Sequence, residues 1–301
     1  MNKTNFLGLE EKYCNYEKAN VVYYPVAFDK TTTYVHGAEQ GPSAIITASQ
    51  NLELYDIEND FSAYQQGIFT AKEKAFADSK QMIETVRADV LSHLKNNKFV
   101  VTVGGEHAIS LAPIQAHRDH YGPISIVQFD AHSDLVYAYD NNIYSHASVM
   151  KRVQEESAID SIVALGIRSM AEEEKRYMNY SRTFFAHDMH QNNQWMEKAI
   201  SLLSDQVYIT FDLDVFDSSI MPATGTPEPG GLFWHQVFSF IKLLNQKKNI
   251  IGFDVVELCP LDGIVAPDFL AAKLIYKTLS FIFKKRSSHD SRLHEKTFQT
   301  F

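Results

Sequence analysis

Ile124-Ser125-Ile126-Val127-Gln128-Phe129 followed by Asp130-Ala131-His132-Ser133-Asp134 is the stretch on which the reading of this chain turns. The first six residues form an apolar, β-branched run suited to a buried strand. The next five place Asp130, His132 and Asp134 at alternate positions. In extended backbone, side chains two residues apart project from the same face. Three potential metal ligands therefore converge at the carboxyl end of one strand. Asp212-Leu213-Asp214 repeats the alternation after a second strand candidate, Val207–Phe211, and His107 follows Gly104-Gly105 after a third, Phe99–Val103. Buried charges without partners are costly, so this arrangement calls for cations. Four carboxylates and two imidazoles suit a pair of hard divalent ions such as Mn²⁺. Two such ions, roughly 3.5–4 Å apart, would make hydroxide available near neutral pH as a nucleophile.

The same rhythm extends in both directions. Further strands are expected at 21–27, 162–165, 183–186 and 250–256. Helical patterns fall from about Ser43, over 71–96, from near Ser110, and over 147–156, 171–180, 195–204 and 234–245. Strands alternating with helices predict an α/β fold with a mostly parallel sheet covered on both faces. Ligands of such sheets bind beyond the carboxyl ends of the strands, where the acidic and histidine residues lie. With no internal repeat or linker, residues 1–283 are expected to form one catalytic domain. A loose polar tail over 284–301 follows, with Phe298 and Phe301 as docking residues.

Bulk properties narrow the function. The 301 residues are 45% hydrophobic and 22% charged, ordinary globular values. A formal charge of -9 argues against a general nucleic-acid or anionic-membrane binder and mildly favours a cationic substrate. Cys14 and Cys259 are the only cysteines, too few for a disulfide framework. No apolar run approaches a membrane span and the N-terminus lacks a signal-peptide core, so a cytoplasmic protein is expected.

Four blocks carry a family resemblance: Gly104-Gly105-Glu106-His107; Phe129 through Leu135; the run from Phe211 to Asp217 continuing through Pro222-Ala223-Thr224-Gly225-Thr226-Pro227-Glu228-Pro229-Gly230-Gly231; and Gly252-Phe253-Asp254-Val255-Val256-Glu257. With Gly41-Pro42-Ser43-Ala44-Ile45, they make residues 20 to 283 resemble the ureohydrolases, the superfamily of arginases and agmatinases. The resemblance implies a three-layer α/β/α fold, two Mn²⁺ per subunit, a trimer or hexamer, and hydrolysis of a guanidino group to urea and an amine. By position, His107, Asp130, Asp134 and Asp212 would bind one ion. Asp130, His132, Asp212 and Asp214 would bind the other, with Asp130 and Asp212 bridging and a bridging hydroxide as the attacking group. The catalytic residues it implies are His146, Glu257 and Asp134. His146 would move protons, and Glu257 would grip the planar guanidinium through parallel hydrogen bonds. Thr226 would shape the substrate pocket, and Asp217 would support its loop. Arg168, in Gly166-Ile167-Arg168-Ser169, would contact substrate, a neighbouring subunit or a structural ion-pair partner.

Substrate choice is read from the approach to His146. Arginases carry Ser-x-Asn-x-His there, whereas this chain has Asn142-Ile143-Tyr144-Ser145-His146. Tyr144-Ser145-His146-Ala147-Ser148-Val149-Met150, Glu106 and Glu228-Pro229 resemble agmatinases, while Pro222-Ala223-Thr224 is closer to arginases. Agmatine, cleaved to putrescine and urea, is the expected substrate. Arginine, guanidinobutyrate and guanidine are the alternatives. Readings of a different class are a metal-dependent deacetylase, which would normally need one transition metal, and a noncatalytic homologue, which would be expected to lose ligands.

Overall fold

Val127 and Phe129 of strand β4 (Ile124–Phe129) pack into one apolar core, and Ile124 and Ile126 pack into a second on the opposite face. That two-sided burial is why its sequence is a continuous apolar run rather than an alternating one. The computed structural model describes residues 4–298, with side chains described through residue 287. The other strands are β1 (Val21–Val26), β2 (Ile68–Thr70), β3 (Phe99–Gly104), β5 (Ile159–Ile167), β6 (Thr183–Phe185), β7 (Gln206–Asp212) and β8 (Asn249–Val256). They form one sheet of order β2-β1-β3-β8-β7-β4-β5-β6, with neighbouring strands parallel. Helices cover both faces, giving the three layers implied by the resemblance.

Four adjacent central strands matter for function: β3, β8, β7 and β4. Val103 pairs with Val255, Phe211 with Val255, and Phe129 with Phe211. The four carboxyl ends are therefore level, and the segments leaving them open onto one crevice. Gly105 sits on the turn after β3, where a Cβ would lie 1.9 Å from the Phe28 carbonyl oxygen. Only glycine fits so close an approach.

Several boundaries differ from expectation. The helix expected over 71–96 is Ser79–Lys95, because the Asp78 side chain accepts from the Gln81 N–H and caps it there. The helix expected over 171–180 is a single 3-10 segment, Glu172–Arg176. Strand β2, three residues at the sheet edge, is an addition. A long helix, Ala266–Phe298, runs through the boundary placed at residue 284, so the backbone there is helical where a loose tail was expected. The side chain of Phe298 and all of Phe301 lie outside the described residues. Among the described residues, no helix is long and apolar enough to cross a membrane.

His117, on the helix Leu111–Tyr121, is fully buried against Tyr208. Its Nδ1 lies 2.7 Å from the Pro113 carbonyl oxygen, a contact that requires Nδ1–H, and its Nε2 has no hydrogen-bond partner. Burial holds this imidazole neutral and pushes its pKa down to about 4. An unfolded histidine titrates near 6.5. The unfolded chain therefore gains a proton first as pH falls, and stability drops between pH 6.5 and 4. The expected loss is about 3 kcal/mol from this group. Chemical denaturation of wild type and His117→Phe across that range measures it: the variant should show a shallower fall, and parallel curves would count against the assignment.

Candidate functional site

Beyond β3, His107 turns inward on the segment His107–Ser110 and is fully buried. Its Nδ1 faces three carboxylates: Asp134 Oδ2 at 2.9 Å, and Asp130 Oδ2 and Asp212 Oδ2 at 3.3 Å each. His132 Nδ1 lies 2.8 Å from Asp214 Oδ2 and 3.8 Å from Asp130 Oδ1. Two groups with metal-ligand spacing result: His107, Asp130 and Asp212, and then Asp130, His132 and Asp214. Asp130 belongs to both. All six residues that the sequence singled out thus share one site, with Asp134 placed through its contact to His107.

Local backbone aims each carboxylate. Asp130 Oδ1 accepts from the His132 N–H, and Asp212 Oδ1 accepts from the Asp214 N–H, each two residues ahead. Asp214 Oδ1 accepts from the Ala131 N–H, tying the two ligand segments together. Asp134 has φ 52, a left-handed conformation uncommon outside glycine. The helix Val149–Glu155 stabilises that turn, since the Met150 and Lys151 N–H groups donate to the Asp134 carbonyl.

The electrostatics call for cations. Burial, then the charges of Asp134 and Asp214, raise the Asp130 pKa to about 7. Burial, then Asp214 and Asp130, push Asp212 well above the usual carboxylate range. Burial opposes a proton on His132, but the Asp214, Asp130 and Asp134 carboxylates together outweigh it and raise that pKa to about 11. The same balance, with Asp130, Asp134 and Asp212 prevailing over burial, raises His107.

Which nitrogen of His107 is free is set from behind. The Thr210 hydroxyl donates to Asp254 Oδ1 at 2.8 Å, so toward His107 Nε2, also 2.8 Å away, it acts as an acceptor. Tyr208 donates to the other oxygen of Asp254. His107 therefore carries a hydrogen on Nε2 and turns Nδ1 to the carboxylates, whose charge favours a second hydrogen there unless a cation takes its place. A metal ion would replace that hydrogen and take up the Nδ1 lone pair, and the outward hydrogen bond is the support that metal-binding histidines use. The sequence reading gave Thr210, Tyr208 and Asp254 no role. Its one available signal was a charged residue, Asp254, inside the apolar strand 250–256.

Glu257, just beyond β8, is buried in a left-handed conformation with φ 66. Its Oε1 accepts from the His107 N–H at 2.6 Å, and its Oε2 lies 3.8 Å from where a Cβ would sit on Gly225. Burial, then the nearby Glu106 charge, raises its pKa well above normal. His146 is partly buried across the cavity, with Thr33 Oγ1 2.7 Å from Nε2 and Thr31 Oγ1 3.2 Å from Nδ1. Burial lowers its pKa. A cavity of about 190 Å³ contains the ligand cluster, Glu257, His146 and Thr226, with Val136, Ala147 and Met170 on its apolar side. Among the described residues, no lysine or arginine lines it.

Asp217 and Arg168 stand behind the cavity. Asp217 Oδ2 accepts from the Gly230 and Gly231 N–H groups, and Ser219, chiefly, holds its pKa down to about 2. It supports the loop, as expected. Arg168 has a structural role within the chain, but through carbonyls in place of an ion pair: its guanidinium donates to main-chain carbonyls of Asp214, Glu228, Pro229 and Gly166 at 2.6–3.1 Å. It is a staple between the Asp214 turn and the Glu228-Pro229 loop rather than a carboxylate partner.

A family model described as the arginase family matches residues 19–280. The chain belongs to the arginase family. N(1)-aminopropylagmatine ureohydrolase of Synechocystis sp. is 36% identical over 284 residues, covering 90% of this chain and 92% of that protein. Agmatinase of Pyrococcus horikoshii is 31% identical, covering 86% and 90%. The crystal structure of agmatine ureohydrolase of Thermoplasma volcanium matches with a TM-score of 0.82 at 31% identity, covering 91% of this chain and 94% of that one. As a family member, this chain is a ureohydrolase, a hydrolase acting on carbon–nitrogen bonds of linear amidines.

Proposed function

We propose that this chain is a dimanganese ureohydrolase that cleaves a guanidino amine, agmatine or its N(1)-aminopropyl derivative, to urea and the free amine. The observation that carries the substrate class is the cavity lining: acceptor groups, apolar side chains and, among the described residues, no lysine or arginine. A guanidinium on an aliphatic amine chain suits that lining. The α-carboxylate of arginine, or the carboxylate of guanidinobutyrate, would enter without a cationic partner, at a desolvation cost. The relatives' names add the aminopropyl derivative to the agmatine expected from sequence.

His107, Asp130, Asp134 and Asp212 would hold one ion, and Asp130, His132, Asp212 and Asp214 the other. When bound, the pair would supply an activated water near neutral pH. Glu257 accepts hydrogen bonds from the guanidinium and fixes its carbon over the ligand cluster. Thr226 bounds the guanidinium end of the cavity, and Val136 and Met170 flank the aliphatic chain. His146 delivers a proton to the departing amine nitrogen as the carbon–nitrogen bond breaks. A cytoplasmic location and a trimeric or hexameric assembly belong to the same proposal, and sedimentation checks the assembly.

Urea release with Mn²⁺ across agmatine, N(1)-aminopropylagmatine, arginine, guanidinobutyrate, formiminoglutamate and guanidine tests this reading. One of the two guanidino amines should show the highest kcat/KM. Faster hydrolysis of arginine or guanidinobutyrate would overturn the substrate class.

A further inference from the structure

Glu106 is fully buried beside the site, and the chemistry above gives it no part. Its Oε2 accepts from the backbone N–H groups of Lys30 and Thr31, at 2.8 and 2.6 Å. Its Oε1 accepts from the Thr31 hydroxyl at 2.7 Å. A threonine hydroxyl has one proton and two lone pairs. With the proton turned to the carboxylate, Thr31 Oγ1 can only accept from its other two partners, the His146 backbone N–H at 3.0 Å and His146 Nδ1 at 3.2 Å. Nδ1 must then carry the imidazole hydrogen. Nε2 is left as the lone-pair nitrogen against the Thr33 hydroxyl, which lines the substrate cavity.

We infer that Glu106, acting through Thr31, is a positioning residue that fixes His146 as its Nδ1–H tautomer and keeps Nε2 as the proton-accepting nitrogen on the cavity side. The same carboxylate–threonine–histidine order occurs behind the metal ligands, where Asp254 and Thr210 fix His107 in the opposite sense, hydrogen on Nε2. Two unrelated segments thus set two imidazoles by one device. Neutral imidazole has two tautomers, and only the one with a lone pair toward the reacting groups can take up a proton there and return it to the amine nitrogen. The inference deepens the proposed function and rests on its assignment of His146.

Substituting Glu106→Gln reverses the device without removing it. The side-chain position that receives the Lys30 and Thr31 N–H groups must remain an acceptor, so the glutamine carbonyl occupies it. The amide NH₂ then faces Thr31, donates to Oγ1, and turns the hydroxyl proton toward His146 Nδ1. His146 is expected to switch to the Nε2–H tautomer. Thr31→Val should release the preference, and Thr31→Ser should keep it.

The readout is ¹⁵N NMR of histidine-labelled full-length protein without added manganese, with the His146 signals assigned by their loss in His146→Asn. Wild type and Thr31→Ser should show a protonated Nδ1 and an unprotonated Nε2, and Glu106→Gln should show the reverse. In the manganese-loaded enzyme, Glu106→Gln and Thr31→Val should lower kcat by about tenfold or more with KM nearly unchanged, within the range of acid–base contributions, and Thr31→Ser should retain it. Nε2–H in wild type, or no switch in Glu106→Gln, overturns the inference even if the enzyme releases urea. Full turnover of His146→Asn would instead remove the catalytic role of His146, leaving the tautomer result to stand or fall by the spectra.

Discussion

Asp212→Ala is expected to abolish urea release, with a loss of at least about 10³-fold, several kcal/mol of transition-state stabilisation. Two contacts make the effect large. Asp212 Oδ2 is one of the three carboxylate oxygens around His107 Nδ1, and Asp212 Oδ1 aims the Asp214 turn by accepting its N–H. Alanine therefore removes one ligand and loosens another. The fold should survive, because the deletion also thins a crowded set of buried carboxylates whose mutual repulsion is seen at Asp130 and Asp212. Three measurements separate these effects: urea release, bound manganese, and the thermal midpoint with and without Mn²⁺. Wild type should be stabilised by Mn²⁺, as any ligand specific for the folded state requires, and the variant should respond weakly. Unchanged activity with unchanged metal content would remove the dimetal assignment.

The parts of this molecule legible in the sequence are those governed by local periodicity. A two-sided apolar run names a central strand, and the switch at Phe129-Asp130 from apolar to alternating ligands marks both where the strand ends and where the site begins. Contacts between distant segments were not legible. Thr31 meets His146 across 115 positions, and Thr210 meets Asp254 across 44; a threonine in a loop or strand carries no mark of such a partner. Tertiary contacts also overrode propensity. Residues 171–180 have helix-forming composition, yet Glu174 is buried and spends its carboxylate on the Ser133 hydroxyl and the Leu135 N–H. Holding the metal loop in that way limits the segment to a short 3-10 turn. After residue 284 the composition is that of a polar tail, while the backbone continues a helix whose earlier turns bury Tyr276, Leu279 and Ile282.

Glu257→Gln should separate substrate binding from metal binding. Glu257 is held at φ 66, an uncommon conformation for a residue with a side chain, and such positions persist where the surroundings fix them for function. Its Oε1 is anchored by the His107 N–H. Glutamine can keep that bond through its carbonyl, so the backbone of the metal ligand His107 stays in place. The amide NH₂ then occupies the Oε2 position and faces the cavity. A guanidinium offers only donors, so donor meets donor at that position and one charge-assisted hydrogen bond is lost. At roughly 1.5–3 kcal/mol for a bond to a charged group, kcat/KM should fall by about 10–10²-fold. Bound manganese should stay at the wild-type level, because Glu257 supplies no ligand. The thermal midpoint of the metal-free variant should match or exceed that of wild type, since one of two facing buried carboxylates, Glu106 and Glu257, becomes neutral. Retention of kcat/KM within about threefold would show that the guanidinium is held elsewhere. A parallel loss of metal and activity would show that the residue acts through His107.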